Sequence, residues 1–185
     1  EISACLVGSE MCIRDRIETV IQINRTHTLP AYGILLVGPA GTGKSQIAYL
    51  VAKILKMPWT TLDMSSINDA EQLTGSSRIY SNAKPGIIME AFNMAGESNL
   101  VFIINELDKA TSSNGNANPA DVLLTLLDNL GFTDNYMECL IPTSGVYPIA
   151  TANDKDKISA PLLSRFAVIA VSYTHLRAHE TGRNL

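Results

Sequence analysis

The sequence predicts an α/β fold with a largely parallel, five-stranded sheet flanked by helices. Three observations predict it. Strand-sized apolar runs alternate with segments of helical periodicity along the chain. The clearest runs, Ile34–Val37 and Leu100–Ile104, are continuously apolar rather than alternating, as strands covered on both faces are. A glycine-rich turn joins the first run directly to the first helical segment.

The elements follow in order. Residues 17–32 read as a short helix and a loop reaching Leu29-Pro30. Gly33–Val37 is the first strand. Gln46–Lys56 carries apolar residues at Ile47, Leu50, Val51, Ile54 and Leu55, a helical stripe, and Pro58 blocks its continuation. Trp59–Met64 reads as the second strand and Asn68–Leu73 as a loop or small helix. Pro85–Ala95 is a helix with Pro85 near its first turn and Gly96 near its end. Leu100–Ile104 is the third strand. Ser112–Asn118 has the composition of a surface loop, and Pro119–Leu130 is a helix with Val122, Leu123, Leu126 and Leu127 on one side. Val146–Ala152 is the fourth strand, although Pro148 weakens that assignment. Ala160–Ser164 is a short helix and Phe166–Val171 the fifth strand.

Bulk properties narrow the function. The chain of 185 residues suits one domain with a substantial core. Hydrophobic residues make up 46%, charged residues 17%, and the formal net charge is -4. A weakly acidic chain lacks the basic stripe of a nucleic-acid binder. No apolar run reaches the roughly 18 residues that would suggest a membrane span. Cys5, Cys12 and Cys139 are odd in number and irregularly spaced, which fits neither a disulfide framework nor zinc. A reducing, cytoplasmic setting is expected, and Cys139 is expected to be buried.

The chemistry is concentrated at Gly38-Pro39-Ala40-Gly41-Thr42-Gly43-Lys44-Ser45, which meets the pattern G-x-x-x-x-G-K-[ST]. Gly41 and Gly43 let the backbone turn its N–H groups toward phosphate oxygens. The following helix offers its positive N-terminal end to the anion. Lys44 would reach the β- and γ-phosphates, and the Ser45 hydroxyl would ligate Mg²⁺. The expected ligands are therefore ATP and Mg²⁺. P-loop ATPases end a second buried strand with an Asp-Glu pair. Here that strand runs into Asn105-Glu106-Leu107-Asp108-Lys109. Glu106 stands where a general base polarises the attacking water. Asn105 stands where an aspartate usually holds the Mg²⁺ shell. Its amide carbonyl accepts a hydrogen bond but carries no charge, so weaker Mg²⁺ retention and slower hydrolysis are expected unless another carboxylate, such as Asp108, compensates.

Further strings point to a family. Arg78-Ile79-Tyr80 followed by Pro85-Gly86-Ile87-Ile88, and Ala95-Gly96-Glu97-Ser98-Asn99-Leu100-Val101-Phe102, are the first two. Glu106-Leu107-Asp108-Lys109, Asn118–Leu124 with Leu127-Asp128, and Phe132-Thr133-Asp134-Asn135-Tyr136 follow. Ala150-Thr151-Ala152-Asn153 and Ala160–Arg165 complete the set. Together they resemble the ATPase module of Lon-type ATP-dependent proteases, members of the AAA+ class, from Gly38 to about Val171. The resemblance implies a P-loop NTPase fold and ATP hydrolysis that drives unfolding and translocation of protein substrates in a bacterial, hexameric ring. It implies that Asn153 is the sensor of the γ-phosphate, Arg165 an arginine finger entering a neighbouring subunit, and Tyr80 a pore-loop aromatic that grips unfolded polypeptide. The plain alternatives are a strand-end cap for Asn153, a surface ion pair for Arg165 and an ordinary loop tyrosine for Tyr80. Where the family follows its tyrosine with an apolar residue and glycine, this chain has Ser81 and Asn82.

The family's helical lid, with its sensor arginine, and its Ser-Lys peptidase domain are expected to be missing, so no peptidase activity is expected of this chain alone. Ser3–Arg16 and Val171–Leu185 resemble translated read-through at the ends of fragmentary assemblies, which makes 17–170 the expected ATPase core. Two rival functions stand beside the ATPase: a non-hydrolysing nucleotide-binding scaffold, favoured by Asn105, and another AAA+ machine such as a clamp loader. His175, His179 and Glu180 lack the order of a zincin motif and are not expected to bind metal. The methionines at 57, 64, 89, 94 and 137 read as core filler.

Overall fold

A computed structural model describes residues 33–110, 118–128 and 131–172. The segments 17–32 and 112–117, the ends 3–16 and 173–185, and with them Cys5, Cys12, His175, His179 and Glu180, lie outside the described residues. The strands are β1 (Gly33–Val37), β2 (Trp59–Asp63), β3 (Leu100–Asn105), β4 (Phe132–Asp134), β5 (Cys139–Ile141), β6 (Val146–Ala152) and β7 (Phe166–Ala170). The helices are α1 (Lys44–Leu55), α2 (Ala70–Thr74), α3 (Ile87–Ala95), α4 (Pro119–Leu127) and α5 (Ala160–Leu163). Five strands form one all-parallel sheet in the order β2-β3-β6-β1-β7, and β4 and β5 form a separate antiparallel hairpin.

The continuous apolar strands follow from a sheet covered on both faces. Leu35, Leu62, Leu100, Phe102, Ile104 and Ala150 point into one core with Ile88, Phe92, Leu123, Leu126 and Leu162 from α3, α4 and α5. Their alternating neighbours Ile34, Leu36, Val101, Ile103 and Ile149 form the second core, beneath Ala48 and Ala52 of α1. The buried stripe of α1 is centred differently from the expected one, which it shares in part. Lys44, Ala48 and Ala52 face the sheet at a spacing of four, whereas Leu50 and Ile54 are exposed. The alanines are small enough to let the helix lie close to the strands, Ile47, Val51 and Leu55 of the expected stripe pack half-buried against the same core, and only Leu50 and Ile54 turn to the outer side.

Pro148 sits in a strand bonded on both sides, between β1 and β3. The β1 ladder begins one residue later, at Ile34 opposite Ile149, and the proline ring lies against Gly33. A Cβ at Gly33 would meet that ring at 2.6 Å, so the missing side chain there accommodates the proline.

The β4–β5 hairpin is the element with no counterpart among the expected strands. Cys139 lies on it and is exposed, which corrects the expectation of a buried thiol. Met94 and Met137 are exposed as well, while Met64 is core. Val171, expected at the start of the foreign tail, is buried and its N–H donates to Val37 O at 2.7 Å.

Candidate nucleotide site

The carboxyl ends of three adjacent strands, β1, β3 and β6, converge on one site, which is where parallel α/β sheets bind ligands. Residues Gly38–Gly43 leave β1 and lead straight into α1. Gly41 and Gly43 take φ values of 79° and 76°, the left-handed region that glycine tolerates. Gly38 has a different reason to be glycine: a Cβ there would lie 2.0 Å from Val171 O, so the chain leaving β7 requires the bare backbone. Thr42 is buried and its hydroxyl donates to Pro39 O at 2.9 Å, closing the loop. The first-turn N–H groups of α1 have no partners within the helix and open toward the loop.

Lys44 is buried and its ammonium donates to Gly38 O at 2.7 Å, Pro39 O at 2.8 Å and Asn153 Oδ1 at 2.9 Å. Burial holds its pKa below the ordinary 10.5, an effect opposed by the carboxylates of Asp108 and Glu106. The Ser45 hydroxyl donates to Asn105 Oδ1 at 3.1 Å, across from the end of β3. Thr151 of β6 ties the group together: its hydroxyl donates to Asn105 Oδ1 at 3.4 Å and accepts from the Glu106 N–H at 3.3 Å. Thr151 was not among the expected site residues, although it lies inside the Ala150–Asn153 string. Its signal was a polar residue in an otherwise apolar central strand. Glu106 itself adopts φ 55° and ψ 48°, a conformation that non-glycine residues hold only under constraint.

Lys44, Ser45, Asn105 and Asn153 are thus linked by hydrogen bonds at one place, with Glu106 adjoining through Thr151. The donor set suits ATP with Mg²⁺. A buried ammonium, left-handed glycines and a helix N-terminus match a polyphosphate. The Ser45 hydroxyl and Asn105 carbonyl are hard oxygen donors of the kind Mg²⁺ prefers.

Two expected residues lie elsewhere. Arg165 directly precedes β7, and its backbone carbonyl accepts from Gly33 N–H at the start of β1. It therefore stands at the opposite end of the sheet from the phosphate loop, about 16 Å away along a five-residue strand. Its guanidinium Nε donates to Asp128 Oδ1 at 2.6 Å and another of its nitrogens to Pro161 O at 2.7 Å. The Asp128 hydrogen bond raises the Arg165 pKa.

Tyr80 is exposed at the tip of the loop between α2 and α3, beside the exposed Ile79. The loop is closed at its base by Ser76 N–H donating to Lys84 O at 3.0 Å. The β4–β5 hairpin holds it. Asp134, fully buried, accepts from Gly86 N–H through Oδ2 and from Tyr136 and Met137 N–H through Oδ1, each at 2.9 Å. Asn135 bonds Thr74 and Gly75, and Arg78 donates to Tyr136 O while lying 4.9 Å from its ring centroid. Among the described residues no cluster of metal-ligating His, Cys, Asp or Glu occurs, and no helix is long and apolar enough to cross a membrane.

Comparison with known proteins gives the family. The sequence profile of the ATPase family associated with various cellular activities (AAA) matches residues 34–172. A Lon protease of Methanosphaera stadtmanae is 39% identical over 150 residues, which is 79% of this chain and 18% of that protein. A Lon protease of Clostridium beijerinckii is 39% identical over 155 residues, 82% of this chain and 19% of that protein. Lon protease 1 of Borreliella burgdorferi is 34% identical over 164 residues, 86% and 20% respectively. The chain therefore spans about a fifth of the length of these relatives. With its glycine-turned loop, its buried lysine and its match to the family profile, the chain belongs to the AAA family of ATPases, as a nucleotide-binding module of the kind found in Lon proteases.

Proposed function

We propose that this module hydrolyses ATP as its Mg²⁺ complex, and that within a Lon-type protein it drives unfolding and translocation of protein substrates. The observation that carries the reading is the hydrogen-bonded meeting of Lys44, Ser45, Asn105 and Asn153 at the ends of three neighbouring strands. On nucleotide binding, Lys44 exchanges its carbonyl and amide acceptors for phosphate oxygens. Ser45 and Asn105 are the residues that would hold the cation. When bound, Mg²⁺ would supply charge neutralisation to the phosphates.

Glu106 accepts a proton from the attacking water, and its left-handed backbone, braced by Thr151, fixes where the carboxylate leaves the strand. Asn153 orients that water against the γ-phosphate. Arg165 serves a neighbouring subunit of a hexameric ring. Its position at the far end of the sheet supports action in trans, since its own site is beyond its reach. Assembly must then exchange Asp128 for phosphate as its partner. Tyr80 grips the unfolded chain, with a grip weakened by the polar Ser81 and Asn82. The setting is cytoplasmic.

The test is hydrolysis and binding measured together. Glu106→Gln keeps the size and hydrogen-bonding capacity of the side chain but removes the base. It is expected to bind ATP like the parent and to lose turnover by about 10²–10⁴-fold. Undiminished turnover contradicts the assignment. A second reading, a nucleotide-binding scaffold without hydrolysis, is favoured by one observation, the uncharged Asn105 bonded to the Ser45 hydroxyl. It predicts ATP binding with no turnover in either protein.

A further inference from the structure

The site holds one group that the scheme above does not use. Asp108 is only 5% exposed, and its Oδ1 is buried with no hydrogen-bond partner among the described residues. It lies in the single 3-10 turn Leu107–Lys109 that follows Glu106. That turn is fixed rather than free. Lys109 N–H donates to Glu106 O at 2.8 Å, Ala110 N–H donates to Leu107 O at 3.1 Å, and Leu107 is anchored in the core. A buried carboxylate oxygen without a donor is unfavourable unless something absent from the apo chain completes it.

Lys44 is the obvious partner, but its hydrogen-bonding capacity is already used. An ammonium has three N–H groups, and those of Lys44 go to Gly38 O, Pro39 O and Asn153 Oδ1. Asp108 nevertheless acts on the Lys44 ammonium through its charge, more strongly than Glu106 does, which puts it within electrostatic range of the phosphate loop. Beside it, the residue that bonds Ser45 is a neutral amide. The site therefore has an uncharged side chain bonded to Ser45 and, three positions along the chain, a carboxylate with one buried oxygen that no donor satisfies.

We infer that Asp108 supplies the negative charge that Asn105 does not, as a positioning residue that retains the divalent cation accompanying the nucleotide. The inference rests on the ATP·Mg²⁺ reading and deepens it. It moves the electrostatic role from the end of β3 to the turn after it, and leaves Asn105 the task of accepting the Ser45 hydroxyl.

The experiment compares ATP affinity in Mg²⁺ with ATP affinity in excess chelator, by titration calorimetry, for the parent chain, Asp108→Asn and Asn105→Asp/Asp108→Asn. Melting of the nucleotide-free proteins is recorded alongside. The parent is expected to bind ATP more tightly with Mg²⁺. Asp108→Asn is expected to lose about 10- to 100-fold of affinity in Mg²⁺ and little in chelator, the scale for removing a supporting group of a metal site. Its nucleotide-free melting temperature is expected to hold or rise, because a buried carboxylate oxygen that no donor satisfies has been replaced. The double variant is expected to recover the Mg²⁺ dependence. Equal losses with and without Mg²⁺ would mean that Asp108 acts only on Lys44, and would overturn the proposal. So would an unchanged Mg²⁺ dependence in Asp108→Asn, a lowered melting temperature without rescue by Asn105→Asp, or a parent that binds ATP equally well in chelator. A parent that binds ATP under neither condition removes the nucleotide reading itself, and this inference with it.

Discussion

Replacing Asp134 tests how the loop bearing Tyr80 is held. Asp134 is fully buried and its two carboxylate oxygens accept three backbone N–H groups, from Gly86, Tyr136 and Met137, each at 2.9 Å. Asp134→Ala strands all three donors. A stranded buried donor costs roughly 1–3 kcal/mol, and those of Tyr136 and Met137 are only partly buried, so the sum is about 3–5 kcal/mol. That is a large part of the roughly 5–15 kcal/mol expected for a domain. For a chain of this size it lowers the melting temperature by about 6–20 °C. Asp134→Asn is the milder perturbation. Its remaining carbonyl keeps the bonds to Tyr136 and Met137, while its amide N–H₂ opposes the Gly86 N–H, for a loss of about 1.5–3 kcal/mol. Urea unfolding followed by circular dichroism gives both numbers. Limited proteolysis is expected to cut first within residues 76–85. Should Asp134→Ala be too unstable to purify, the Asn variant still measures the Gly86 bond. An alanine variant within about 1 kcal/mol of the parent, or an asparagine variant as damaged as the alanine one, would refute the reasoning.

Asn105→Asp restores a charge beside the Ser45 hydroxyl and is expected to raise Mg²⁺ affinity about tenfold or more and to speed hydrolysis; equal rates and affinities in an assembled form would contradict this. Arg165→Ala should leave ATP affinity unchanged and lower turnover of the assembled protein by about 10³-fold or more, and a matching loss of ATP affinity would place the arginine's effect within its own subunit. Lys44→Met gives a pH signature. The folded pKa of Lys44 is below its ordinary 10.5, so between the two values the unfolded chain binds more protons and the folded parent gains stability as pH rises. The parent-minus-variant stability is therefore expected to be flat at low pH and to move toward the parent as pH climbs to 10.5, measured by chemical unfolding at fixed ionic strength. A difference that stays flat across that range would count against a buried, charged Lys44.

The sheet was legible because β1 and β3 are apolar almost throughout and its punctuation is strong. The phosphate loop was legible because its glycines, lysine and serine recur at fixed spacing for a chemical reason. What escaped sequence reading depends on non-local contact. The hairpin of Phe132–Asp134 and Cys139–Ile141 has only three residues per strand, too few to show a period. On α1, Ile47, Val51 and Leu55 pack as expected, but Leu50 and Ile54 were misplaced because they are more apolar than Ala48 and Ala52, although closeness to the sheet selects small residues. Pro148 weakened the assignment of its strand, and only Gly33 across the ladder explains its acceptance. Thr151 acquires meaning only when β6 is laid beside β3, whereas Asp108 was legible as a nearby carboxylate and only its burial needed the fold. The pairing of Arg165 with Asp128 joins residues 37 positions apart and leaves no local trace in the sequence.

The central claim is that the loop from Gly38 to Ser45 binds ATP as its Mg²⁺ complex, with Lys44 as the phosphate-binding cation. Titration calorimetry of the chain with ATP in Mg²⁺, beside Lys44→Ala, tests it most directly. Saturable binding of one nucleotide per chain that Lys44→Ala weakens by about 100-fold or more is predicted, the scale for losing a charge-assisted contact to phosphate. Binding that is unaffected by Lys44→Ala would contradict it.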